Sequence, residues 1–99
     1  MNRKELEPIP PGEILLEEFM RPLGLSAAAL ARAIRVPPNR VSQILAGKRS
    51  VSADTALRLG KYFGVSPEIW LELQADYDLR VARRTTWRRV EPRIPARIA

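Results

Sequence analysis

The run Pro-Pro-Asn-Arg-Val-Ser-Gln-Ile-Leu-Ala-Gly-Lys-Arg, from Pro37 to Arg49, constrains this chain more than any other stretch. Proline opens it and glycine closes it, so the residues between form a short helix. Val41, Ile44 and Leu45 fall on one side at helical spacing, and Asn39, Arg40 and Gln43 fall on the other. The amides of Asn and Gln both donate to and accept from the edge of a base, and an arginine forks onto guanine. Lys48 and Arg49 follow Gly47 at once, where cations suit phosphates. A plain solvated face uses the same residue types, and so do cations that merely complement a helix end. The surrounding chain decides between these readings.

Ninety-nine residues, 45% of them hydrophobic, make one small domain with one modest core. There is no cysteine for a disulfide or a thiolate metal site, and no histidine for the usual general base. No leader-like pattern opens the sequence and no apolar run spans a bilayer, so a cytoplasmic protein is expected. The net charge of +6 is segregated. From Phe19 to Ala53 there is no acid, while Arg21, Arg32, Arg35, Arg40, Lys48 and Arg49 lie in that stretch. From Leu79 onward, Arg80, Arg83, Arg84, Arg88, Arg89, Arg93 and Arg97 face only Glu91. Segregation of this kind favours an anionic partner. Glu13, Glu17 and Glu18 have no nucleophile or metal ligand beside them, so they read as an acidic face and not as a catalytic pair.

The punctuation gives an all-α chain. Residues 1–10 are expected to be a loose arm and residues 11–84 the folded domain. A first helix runs from about Pro11 to Arg21 and is stopped by Pro22 and Gly24. Ser26 caps a second, alanine-rich helix, and Val36-Pro37 turns the chain into the third. Ser52 caps a fourth helix that Gly64 ends, and Ser66-Pro67-Glu68 starts a fifth. Ile69, Trp70, Leu73, Tyr77 and Val81 form the apolar stripe of that fifth helix. A basic tail over residues 85–99, with Pro92 and Pro95, is expected to be extended. Solvated disorder and phosphate contact both suit such a tail.

The second and third helices, joined by a tight turn, form a helix-turn-helix pattern. Gly12-Glu13-Ile14-Leu15, Leu30-Ala31, Asn39 to Ile44, Gly47-Lys48-Arg49, Ala53 to Leu59, Phe63-Gly64, Trp70 to Gln74 and Tyr77-Asp78-Leu79 together resemble the HigA-type antitoxins. These belong to the helix-turn-helix class of the lambdoid phage repressors. The resemblance covers residues 8–84. It implies a five-helix lambda-repressor-like domain with a C-terminal basic tail. It also implies a homodimer that represses its own operon at palindromic double-stranded DNA and neutralises a RelE-like HigB-type toxin. No cofactor, metal, small-molecule substrate or membrane is implied, and no enzymatic activity.

Carried over residue by residue, Pro38, Asn39 and Gln43 stand at base-reading positions, with Arg40 as a fourth. Pro38 lacks hydrogen-bonding chemistry and is left with the thymine methyl. Ser26, Ser42, Lys48 and Arg49 stand near phosphates. Arg35 stands where the phage class often has glycine, so a left-handed backbone there carries a strain of roughly 1 kcal/mol while the side chain reaches DNA. Trp70, Leu73 and Tyr77 are the expected dimer contact, with Trp70 equally suited to the core. Two other functions remain open on the same residues. One is a stand-alone regulator without a toxin, and the other a toxin-masking module with weak DNA binding.

Overall fold

The computed structural model describes residues 7–97. Residues 1–6 of the expected arm and 98–99 of the expected tail lie outside the described residues. The described chain is helical, with no strand among those residues.

Helix α1 is continuous but changes register twice. Pro11–Ile14 is α-helical, Leu15–Met20 is π-helical, and Arg21–Leu23 tightens into a 3-10 turn. The π stretch has a packing consequence. Its bonds join residues five apart, which stacks Leu15 and Met20 on one side. Both are 1% exposed. Pro11 sits in the first turn, where its missing N–H removes no bond.

Helices α2 (Ala27–Ile34), α3 (Pro38–Leu45), α4 (Ala53–Phe63) and α5 (Pro67–Arg84) follow. All three expected serine caps form. Ser26 Oγ accepts from Ala29 N at 3.1 Å, Ser52 Oγ from Thr55 N at 3.3 Å, and Ser66 Oγ from Glu68 N at 3.3 Å. Each satisfies a donor that the helix cannot. The Ser66 hydroxyl also donates to the Glu68 carboxylate, and with the backbone bond this holds Glu68 below the ordinary carboxylate range.

The core centres on Trp70, which is fully buried. Its ring lies 5.0 Å from that of Phe19, and Phe19 lies 5.1 Å from Phe63, so α1, α4 and α5 meet in one aromatic cluster. This corrects the expectation that Trp70 joins a dimer contact. With 0% of its surface exposed it has nothing to offer a partner. Of the three residues expected there, Leu73 and Tyr77 keep partial exposure.

The expectation of an extended tail from Thr85 is also corrected. Thr85 breaks α5, and the chain then forms α6 (Trp87–Val90) and a 3-10 turn over Glu91–Arg93. Pro92 does not prevent this, because it falls in the first turn of the 3-10 segment, where no N–H is required.

Gly12 sets the distance between α1 and α3. A Cβ at that position would lie 2.2 Å from the Ile44 carbonyl oxygen. No side chain fits without moving one helix off the other. Helix propensity alone would make Gly12→Ala stabilising by up to about 1 kcal/mol. The close approach predicts the opposite sign, a loss of roughly 1–3 kcal/mol from overpacking. Urea unfolding of the two proteins reads that sign directly.

Candidate nucleic-acid interface

Three anchors hold α3 in place. The first is the turn before it. Arg35 ends α2 with φ 59° and ψ 50°, the one described non-glycine residue at positive φ. The turn closes through Arg35 N to Arg32 O at 3.2 Å and Val36 N to Ala31 O at 3.0 Å. Arg58, on α4, then donates from Nη1 to Ile34 O at 2.8 Å and to Arg35 O at 3.1 Å. A guanidinium therefore occupies the carbonyls at the α2 C-terminus, where positive charge is favoured. Its Nε is bonded to Asp54 Oδ2 at 2.9 Å.

The second anchor is the buried side of α3. Val41 is 1% exposed and Ile44 2%. The third is the loop that follows. Gly47 adopts φ 74°, which only glycine takes readily, and Lys48 N reaches back to Gln43 O at 2.8 Å. Gln74, on α5, accepts from Val51 N at 2.8 Å and donates to Asp78 Oδ1 at 2.9 Å. The loop carrying Lys48 and Arg49 is thus tied to α5.

This places the expected site residues unequally. Pro38, Asn39 and Ser42 are exposed and Gln43 is half-buried, with Asn39, Ser42 and Gln43 on the side of α3 away from Val41 and Ile44. No hydrogen bond within the described residues occupies the Asn39 or Gln43 amide. Lys48, Arg49 and Arg35 are exposed at the two ends of α3. Ser26 is exposed at the start of α2, and its hydroxyl, which accepts from Ala29 N, keeps its own proton free to donate. Arg40 stands apart from the other base-reading candidates. It turns to the flank, with Nη1 3.5 Å from Asp54 Oδ2.

Sequence reasoning missed Arg58 as the cap of the turn and Gln74 as the anchor of the loop. The Asp54/Arg58 spacing of four was a visible signal for an ion pair, but not for the carbonyls across the turn. For Gln74 there was no local signal, since its partner is twenty-three residues away.

Residues 16–70 match the family described as Helix-turn-helix. Virulence-associated protein I of Dichelobacter nodosus is 49% identical over 82% of this chain and 75% of its own length. The antidote protein of a HigA family from Coxiella burnetii superposes with a TM-score of 0.86 at 46% identity, over 92% of this chain and 99% of that one. This chain belongs to the helix-turn-helix family, in its HigA branch. The Pseudomonas aeruginosa antitoxin HigA, solved with the higBA promoter, gives a TM-score of 0.89 at 41% identity over 93% of this chain and 100% of its own. In this HigA-branch chain the turn is built from Arg35, so glycine there should relieve strain. Arg35→Gly is expected to raise the stability by a few tenths to about 1 kcal/mol, part of the gain being offset by the freer unfolded chain. The thermal midpoint, measured without DNA, checks this.

Proposed function

We propose that this chain is a DNA-binding antitoxin that represses its own operon and neutralises a co-encoded toxin. The observation that carries the DNA-binding part is the outward side of α3. Asn39, Ser42 and Gln43 share it, and Lys48 and Arg49 follow where the helix stops at Gly47. Asn39 and Gln43 read bases in the major groove. Pro38 adds apolar contact with a thymine methyl. Ser26, Ser42, Arg35, Lys48 and Arg49 hold phosphates and fix the register. Similarity to an antitoxin solved with its promoter supports the same reading.

The toxin is read as the RelE-like HigB type. Its docking surface is the exposed acidic side of α1, where Glu13, Glu17 and Glu18 share a shallow groove with Ile9 and Ile14. A basic toxin suits that face by charge. The working unit is read as a homodimer that sets two recognition helices one DNA turn apart, about 34 Å. The large apolar groups left uncovered near the end of the chain support this, with Leu71 39%, Leu79 53% and Trp87 39% exposed.

Binding to the chain's own promoter tests the main reading. Asn39→Ala with Gln43→Ala is expected to weaken promoter binding by about 1–3 kcal/mol for each lost base contact, with little change on shuffled DNA. Lys48→Ala is expected to weaken both duplexes alike and to lower the slope of log K against log salt by about 1. Unchanged promoter affinity in the double variant would sink the repressor reading. Leu79→Lys is expected to shift the protein toward monomer in sedimentation equilibrium. A dimer that persists would remove that face from the interface.

A further inference from the structure

The arginine that stands apart from the base readers has a specific custodian. Val41 and Ile44 define the inward direction of α3. At about 100° per residue, Asn39 lies roughly 170° from that direction and Arg40 only about 70° from it. Arg40 is therefore on the flank of the recognition helix, with its side chain 24% exposed. Its guanidinium reaches Asp54, in the first turn of α4, and makes no other bond among the described residues. Its Nε is buried without a hydrogen-bond partner. Asp54 Oδ2 is shared, because it also accepts from Arg58 Nε at 2.9 Å. Asp54 keeps 58% of its side chain exposed, so the pair can open without unfolding anything.

A long cation beside the groove has two classes of target. Phosphates surround it and are the same in every sequence, whereas guanine edges are present only at particular steps. Left free, Arg40 would be taken by the nearest phosphate, which adds affinity to all DNA and discriminates nothing. A carboxylate that holds it on the flank competes with those phosphates, and gives way only where a bidentate guanine contact replaces it.

We propose that Asp54 is a specificity-determining positioning residue of the DNA-binding face, acting through Arg40 by withholding it from phosphates and reserving it for a base contact. The proposal rests on the DNA-binding reading above and assigns a role to a residue that acts through another.

The test compares wild type, Asp54→Asn, Asp54→Glu, Arg40→Ala and the Arg40→Ala/Asp54→Asn pair. Each is titrated over a range of salt against a duplex covering the chain's own promoter and a shuffled duplex of the same composition. Asp54→Asn is expected to bind shuffled DNA about five- to tenfold more tightly near 0.1 M salt, with a salt slope steeper by about 0.9, one extra phosphate contact. The ratio of promoter to shuffled affinity should fall by a similar factor. Asp54→Glu, which keeps the charge, should retain most of the ratio. In the Arg40→Ala background, Asp54→Asn should leave the ratio unchanged. If its effect there is as large as in wild type, the carboxylate acts through its own charge or through Arg58, and the proposal is overturned. If wild type prefers its promoter and Asp54→Asn keeps that preference in full, the assignment to Asp54 falls alone. If wild type shows no preference, the repressor reading falls and the proposal falls with it.

Discussion

An eight-residue helix does not hold its own shape in water, since nucleation outweighs what so few bonds return. Everything that α3 presents outward therefore depends on what grips it from behind and at its ends. The grip combines one close backbone approach with side chains that come from distant helices. Gly12 lets α1 come within contact of the Ile44 carbonyl, where any side chain would intrude. Val41 and Ile44 are sealed beneath it. Arg58 holds the carbonyls of the turn before it, and Gln74 holds the loop after it. The outer residues are thereby free of structural duty. Asn39 and Ser42 are left exposed, to be chosen for what they bind.

The elements that the sequence makes legible are those whose signals are local. A serine before each of α2, α4 and α5 announces a cap because its oxygen bonds an N–H two or three residues on. Gly64 announces an end because it adopts φ 70°. Arg35 is legible for the same reason in reverse, as a position where a left-handed backbone is met without glycine. The outward side of α3 follows from spacing alone, and the placement of Asn39 and Gln43 agrees with it.

What spacing does not reveal is set by partners far along the chain. The stripe of α5 is apolar whether it faces a core or a second copy, and only the aromatic cluster with Phe19 and Phe63 puts Trp70 inside. That Met20 joins the apolar side of α1 was legible, but the π stretch that lets it stack on Leu15, five residues away, was not. Pro92 misled because a proline opposes a helix only where an N–H is needed, and the first turn of a helical segment needs none. Arg40 misled most. On a flat projection it belongs with Asn39 and Gln43, but a flank position with a carboxylate in reach belongs to α4 as much as to α3.

The acid that closes the basic region makes sense in these terms. The stretch from Phe19 to Ala53, which builds α2, the turn and α3, has no acid, and the first one after it is Asp54. A lone carboxylate there would repel the phosphates that the rest of the stretch attracts. It does not stand alone, since one oxygen holds Arg58 at 2.9 Å and faces Arg40 at 3.5 Å. Two guanidiniums on one carboxylate leave the local charge positive, so the field toward DNA keeps its sign. What the carboxylate removes is freedom. Arg58 loses it to the turn, which sets the angle of α3. Arg40 loses it on the flank, and on the proposed reading this keeps a mobile cation from blurring what Asn39 and Gln43 would distinguish. On that reading, attraction to any DNA comes from the many cations of this surface, and discrimination among DNAs from the few side chains held still on it.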